Sequence, residues 1–158
     1  MNEKLQNKSP MSVALEAAEA AAKRGEVPVG AVIVDATGGI LGTAGNRTLE
    51  LKDPTAHAEL LAIREAAQKL GSERLIDCDL YVTLEPCAMC AGAISFARLR
   101  RVYYGAEDKK GGAVDNGPRF FTQATCHHRP ETYGGLSEAP AQALLQQFFA
   151  ERRSAHLD

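Results

Sequence analysis

Leu80-Tyr81-Val82-Thr83-Leu84-Glu85-Pro86-Cys87-Ala88-Met89-Cys90 is the stretch whose reading decides the fold. Leu80 to Leu84 is a short apolar, β-rich run of the kind that forms a buried strand. Pro86, with its fixed φ and missing N–H, suits the first residue of a helix that the pattern carries to about Arg98. A strand running into a helix is half of an α/β unit, so the neighbouring segments should supply further strands and helices.

They do on both sides. Upstream, Ser9-Pro10 is a helix-start signal before an Ala-rich segment with Val13, Ala17, Ala18 and Ala21 on one stripe, ending at Gly25. Val29 to Asp35, the turn Thr37-Gly38-Gly39 and Ile40 to Ala44 read as a hairpin. Thr55 can cap a second helix carrying Leu60, Ile63, Ala67 and Leu70 and closed by Gly71. Downstream, Arg101 to Gly105 is a fourth strand, and Glu107 to Gly135 is a long Gly-, Pro- and His-rich connection where substrate contacts are expected. Ser137 opens a last amphipathic helix with Ala141, Leu144, Leu145, Phe148 and Phe149 on its apolar side. The order α-β-β-α-β-α-β-loop-α implies a three-layer α/β/α fold with a mixed central sheet.

The length of 158 residues suits one core, so residues 1–158 are read as a single domain, with 1–8 a disordered N-terminal tail. A net charge of −2 excludes a generally basic nucleic-acid coat protein and an acidic disordered chain alike. No apolar run approaches a membrane span, and no secretory leader is evident, so cytoplasm is the expected location.

Four cysteines in such a chain are more readily thiols or metal ligands than disulfides. Cys87 and Cys90 form a C-x-x-C pair at a helix start, where the helix dipole favours thiolates. His57-Ala58-Glu59 lies near the start of another helix that also follows sheet-forming sequence, so the two pieces can converge at one edge of the sheet. One imidazole and two thiolates make a three-ligand zinc site, and the open fourth position is the mark of catalytic zinc. The bound water, acidified by the ion, would supply hydroxide, and Glu59 is the candidate to carry its proton. In a regular helix His57 and Glu59 would sit on opposite faces, so both must lie in the first turn if Glu59 is to serve. Alone, His-x-Glu is nearly uninformative, and a lone C-x-x-C could be redox-active, structural or incidental. The competing structural arrangement closes the site with Cys126, His127 or His128 as fourth ligand.

At these residues the sequence resembles the zinc-dependent cytidine/deoxycytidylate deaminase superfamily, and within it the bacterial tRNA-specific adenosine deaminases. The resemblance begins at Glu26-Val27-Pro28-Val29-Gly30-Ala31 and continues through Gly45-Asn46-Arg47 and Asp53-Pro54-Thr55-Ala56-His57-Ala58-Glu59. It takes in Leu80 to Cys90 and ends at Phe148-Phe149 and Arg152-Arg153. It implies a cytidine deaminase-like fold and one catalytic Zn2+ per chain held by His57, Cys87 and Cys90. It further implies hydrolysis of adenosine to inosine at the wobble position of an arginine tRNA, by attack of zinc-bound hydroxide on adenine C6 with Glu59 as proton shuttle and release of ammonia. Asn46 matches an Asn that hydrogen-bonds the target nucleoside. Asp108, Lys110, Phe149 and Arg153 match positions that hold the tRNA anticodon stem-loop. A homodimer, with the helix from Cys87 to Arg98 as candidate interface, and no membrane association are implied as well. The Gly111 to Gly135 segment departs from the shorter form in better-known members.

Charge gives a separate indication. Residues 98–129 hold seven basic residues (Arg98, Arg100, Arg101, Lys109, Lys110, Arg119, Arg129) against three acidic, whereas the first 97 hold nine against thirteen. A basic face on an acidic body suits an enzyme gripping an RNA loop, although it is equally compatible with a solvated face. Phe120, Phe121 and Tyr133 could stack on bases, but such aromatics are more often core. Two other functions share these features: a deaminase of a free base such as guanine or cytosine, and a zinc-stabilised RNA-binding module without turnover.

Overall fold

The computed structural model describes residues 8–157. The expected tail over 1–8 lies, apart from Lys8, outside the described residues.

Helix α1 (Pro10–Lys23) starts as its sequence dictates, with the Ser9 hydroxyl accepting from the Ser12 N–H at 3.2 Å and Pro10 at the first position. Strands β1 (Gly30–Val34) and β2 (Ile40–Gly45) form the antiparallel hairpin. Its turn is organised by Asp35, whose carboxylate accepts from the N–H groups of Thr37 and Gly39, both at 2.9 Å. A short helix α2 (Thr48–Leu51), which the sequence pattern did not reveal, is followed by α3 (Ala58–Leu70), closed by Gly71 in the left-handed conformation. Then come β3 (Asp79–Leu84), α4 (Ala88–Phe96), β4 (Arg101–Ala106), a 3-10 turn at Phe120–Thr122, β5 (Glu131–Tyr133) and α5 (Glu138–Leu157).

The sheet is mixed, in the order β2-β1-β3-β4-β5. β1 pairs antiparallel with both β2 and β3, while β3, β4 and β5 run parallel. Alternation sends Ala31, Ile33, Leu80, Val82 and Val102 to one face, where they pack with Ala58, Ala62 and Ala66 of α3 and Ala91 and Ile94 of α4. Val32 and Val34 face the other way, against Met11, Val13 and Ala14 of α1. Helix α5 shares that second face, since Ala141 lies against Gly105 and α5 contacts α1. The three-layer α/β/α expectation is met.

Three local expectations are corrected. Thr55 does not cap α3: its N–H and hydroxyl are bonded to the Asp53 carboxylate at 2.8 and 2.6 Å, and His57 takes the cap position. Pro86 lies two residues before α4 rather than opening it, and the helix ends at Phe96, with Arg98 left-handed (φ 62°). The buried stripe of α3 is Ala58, Ala62 and Ala66; Leu70 is exposed. Small residues win there because the helix sits too close to the sheet for Leu side chains. The 107–135 connection carries β5, and Phe121 is buried with Phe120 packed on the same core, so these two rings are structural.

Candidate active site

β3 delivers Glu85-Pro86-Cys87 at its C-terminal end, and the β2 end delivers Asn46 to the same edge, so the starts of α3 and α4 meet there. His57 and Cys87 occupy the N-cap positions of α3 and α4, each extended (ψ 152° and 174°), and neither side chain makes a capping hydrogen bond. Both are turned instead towards one point. Nδ1 of His57 lies 3.7 Å from Sγ of Cys87 and 3.5 Å from Sγ of Cys90. Nitrogen and sulfur donors on a tetrahedral zinc, with bonds of about 2.0 and 2.3 Å, stand about 3.5 Å apart. The spacing therefore fits zinc, and this is the cluster among the described residues whose ligand atoms all lie within 4.8 Å of one another. Zinc-type chemistry also fits the electrostatics. The Cys90 thiol and the His57 ring hold Cys87 down to about 4, whereas the neighbouring Cys87 sulfur and burial push Cys90 up. The Cys87 hydrogen bond raises His57. Positive charge supplied between the sulfurs would relieve that conflict.

Glu59 is the second residue of α3, in its first turn, and is buried. Burial pushes its carboxyl up from the ordinary carboxylate range, and it faces Cys90 and His57. This is the placement a proton carrier beside a metal requires, and the first-turn condition drawn from the His-x-Glu spacing is met.

Asn46 is buried at the end of β2, and its Oδ1 accepts from the Ala58 N–H at 2.8 Å. That bond splices the strand to the start of α3 and leaves Nδ2 as the end free to donate. Asp108 is half-buried, and its Oδ1 accepts from the N–H groups of Lys110 and Gly111 at 3.2 and 2.9 Å; Lys110 is exposed. On α5 the aromatic and basic pairs divide. Phe148 is buried and carries Arg152 over its ring at 4.5 Å, and Arg152 also donates to the Gly25 carbonyl. Phe149 (45% exposed) and Arg153 stay on the surface.

The closed-site alternative is not realised. Cys126 lies 3.6 Å from the Ser95 hydroxyl, and His128 Nε2 is 2.6 Å from the Leu99 carbonyl, both beyond the C-terminal half of α4, away from Cys87. The basic stretch divides too. Arg100 pairs with Asp79 and Arg101 with Glu131, each at 2.8 Å, at the strand starts and hence at the pole opposite the cysteines. Lys109 and Lys110, on the loop after the C-terminal end of β4, lie at the site's pole. Sequence reasoning passed over Glu26 and Glu85, two buried carboxylates that bind the loops around the site. The available signal was a charged residue set directly before Pro86-Cys87 at the end of a buried strand.

The family model for the cytidine and deoxycytidylate deaminase zinc-binding region matches residues 4–106. A tRNA-specific adenosine deaminase of Agrobacterium fabrum is 59% identical over 143 residues, 90% of this chain and 93% of that protein. The chain belongs to the tRNA-specific adenosine deaminases. Its fold agrees with a structure solved in a study of A-to-I editing by tRNA:A34 deaminases (TM-score 0.84, 58% identity, 86% of this chain and 98% of that one). A guanine deaminase from Bacillus subtilis is a more distant likeness (TM-score 0.60, 42% identity, 68% and 66% covered). The deaminase is therefore a zinc enzyme, and His57, Cys87 and Cys90 are the residues placed to hold the ion. No helix among its described residues is long and apolar enough to cross a membrane.

Proposed function

We propose that this deaminase converts adenosine to inosine at the wobble position of tRNA, an arginine tRNA among its substrates, in the cytoplasm. The observation that carries the reading is the buried Glu59 carboxyl set against the His57, Cys87 and Cys90 cluster, in a chain so similar to tRNA deaminases along its length. Zinc held by these three residues would supply an acidified water as nucleophile. Glu59 would carry that water's two protons in turn, the first to the ring nitrogen beside C6 as the C6–O bond forms and the second to the amine as the C6–N bond then breaks, so that inosine and ammonia are the products. Asn46 donates from Nδ2 to the flipped nucleoside. Asp108 and Lys110 on one loop, and Phe149 and Arg153 one turn apart on α5, contact the anticodon nucleotides; a single-stranded loop makes base extrusion cheap.

The protein acts as a homodimer through the outward side of α4. Between Ala88 and Phe96 that helix carries no charge, and it exposes Met89 (38%) and Phe96 (83%). An uncharged exposed strip of this kind is more costly in water than against a second copy.

The deciding experiment measures zinc in the purified chain together with inosine formation in an unmodified tRNA carrying adenosine at the wobble position. Free adenosine, guanine and cytosine are run in parallel. About one zinc per chain and inosine in tRNA alone is the expected result; turnover of a free base alone would move the enzyme to the guanine-deaminase type. Glu59→Ala should retain zinc and RNA binding and lose roughly 10²–10⁴-fold in rate. Unchanged activity in that variant would remove Glu59 from the mechanism.

A further inference from the structure

We propose that Glu85 is the positioning residue that fixes the RNA-facing loop relative to the zinc ligands, a role that rests on the tRNA reading above. Glu85 is 2% exposed and immediately precedes Pro86-Cys87. Its Oε2 accepts from the N–H groups of Val114, Asp115 and Asn116 at 3.1, 3.1 and 3.2 Å. Its Oε1 accepts from the Asp108 N–H at 3.1 Å and the Asn116 side-chain amide at 2.7 Å. Three successive N–H groups turned to one point form a nest, the backbone arrangement that ordinarily takes an anion. Here the anion is the protein's own carboxylate, and the loop wraps it from Asp108 to Asn116.

The loop leaves no slack around that carboxylate. A Cβ on Gly112 would stand 2.5 Å from both the Glu85 carboxyl carbon and the Asp108 carbonyl oxygen, so only glycine fits there. The neighbouring Ala113 N–H donates to the Pro86 carbonyl at 2.8 Å, stitching the loop to the residue before the metal ligand. The same loop carries Asp108 and Lys110. Glu85 thus sits between the turn that presents Cys87 and the residues proposed to hold RNA, and it sets the distance between chemistry and grip. An ionised carboxylate only accepts hydrogen bonds, which matches five donors; the amide of a glutamine would turn a donor of its own against them.

Glu85→Gln separates this role from general structural support. Zinc content, kcat and KM on an anticodon stem-loop with adenosine at the wobble position, and amide exchange at 108 and 114–116 are compared with the wild type. The expected result is zinc retained, kcat within about twofold and KM raised about tenfold, the signature of a lost uniform binding contribution. Exchange at those four amides should quicken about tenfold or more while β1 is unaffected. Should Glu85→Gln fail to fold, Asn116→Ser removes one of the five bonds and should move KM and exchange in the same direction by less. Unchanged KM and exchange would overturn the proposal, as would loss of zinc and kcat with KM intact, which would place the role at the metal turn. If the wild type forms no inosine, the tRNA reading fails, and the exchange comparison alone decides whether Glu85 holds the loop.

Discussion

His57 and Cys87 stand where helices ordinarily begin with Ser, Thr, Asp or Asn, residues whose side chains bond the free N–H groups of the first turn. Each forgoes that bond to face the metal position, and Asn46 supplies the missing acceptor for α3 through the Ala58 N–H. The convergence of His57, Cys87 and Cys90, with Glu59 in the first turn of α3, was legible because His-x-Glu and C-x-x-C stand at two helix starts that follow sheet-forming sequence, although each motif says little alone. The bond from Asn46 to the start of α3 was not legible, since a hydrogen bond across 12 positions leaves no local pattern. Glu26 shows the same blindness. Burial alone would raise its carboxyl, but the N–H groups of Leu49 and Glu50, the Thr48 hydroxyl and Arg24 outweigh it and hold it below its usual 4.5. A group with a lowered folded value adds stability above its unfolded value, and that stability drains as pH falls through the folded one. Urea unfolding of wild type and Glu26→Gln should therefore differ most at about pH 7 and converge as the pH falls below the ordinary carboxylate range. A gap independent of pH would show that Glu26 acts by shape rather than charge.

At the scale of the elements, two alanine-faced helices lie directly on glycines of the sheet. A Cβ on Gly30 would meet the Ala14 carbonyl oxygen at 1.9 Å, and one on Gly42 would meet that of Ala62 at 2.4 Å. Gly30→Ala should destabilise by about 3 kcal/mol or more, because backbone stands in the way and cannot rotate aside as a side chain would. Gly92→Ala is the contrast, with Phe120 at 3.8 Å as nearest neighbour, and should leave the unfolding midpoint nearly unmoved. Equal effects from the two would contradict the close docking of α1. This packing also explains what the hydrophobic pattern misjudged. Periodicity weighs Leu60 and Leu70 above alanine, yet a helix lying this close to β2 buries its smallest stripe, with Ile63 and Ala67 partly buried against the same core. β5 escaped notice for a related reason: three residues, mostly exposed, hold their place by pairing with β4 and by Tyr133 stacking on Tyr103 at 5.1 Å, both long-range.

Over the whole molecule the fold has two poles separated by the length of its strands, and charge is distributed between them differently from its distribution along the chain. Arg100 and Arg101 are neutralised at the far pole by Asp79 and Glu131. Lys110 is exposed on the loop that follows the C-terminal end of β4. Lys110→Ala should therefore reduce the salt dependence of RNA binding by about 0.7 in the log–log slope, the value per phosphate contact on a single strand. Arg101→Ala should leave the slope unaltered. The reverse outcome would put the RNA on the other end of the protein. A one-dimensional count of basic residues could not make that distinction, because the parallel pairing of β3 and β4 determines which end each arginine reaches.

The uncapped helix starts also bear on how such a chain ages as a lineage. At His57 and Cys87 the residue best for chemistry is a poor one for beginning a helix, so selection for activity and selection for folding pull in opposite directions. Single-base changes convert His to Asp or Asn and Cys to Ser, which are good helix-starting residues. A copy of the gene released from its editing duty would thus drift by its shortest mutational steps towards a sturdier, inert protein. Retention of this His and this Cys together in a descendant would be a record of continued use.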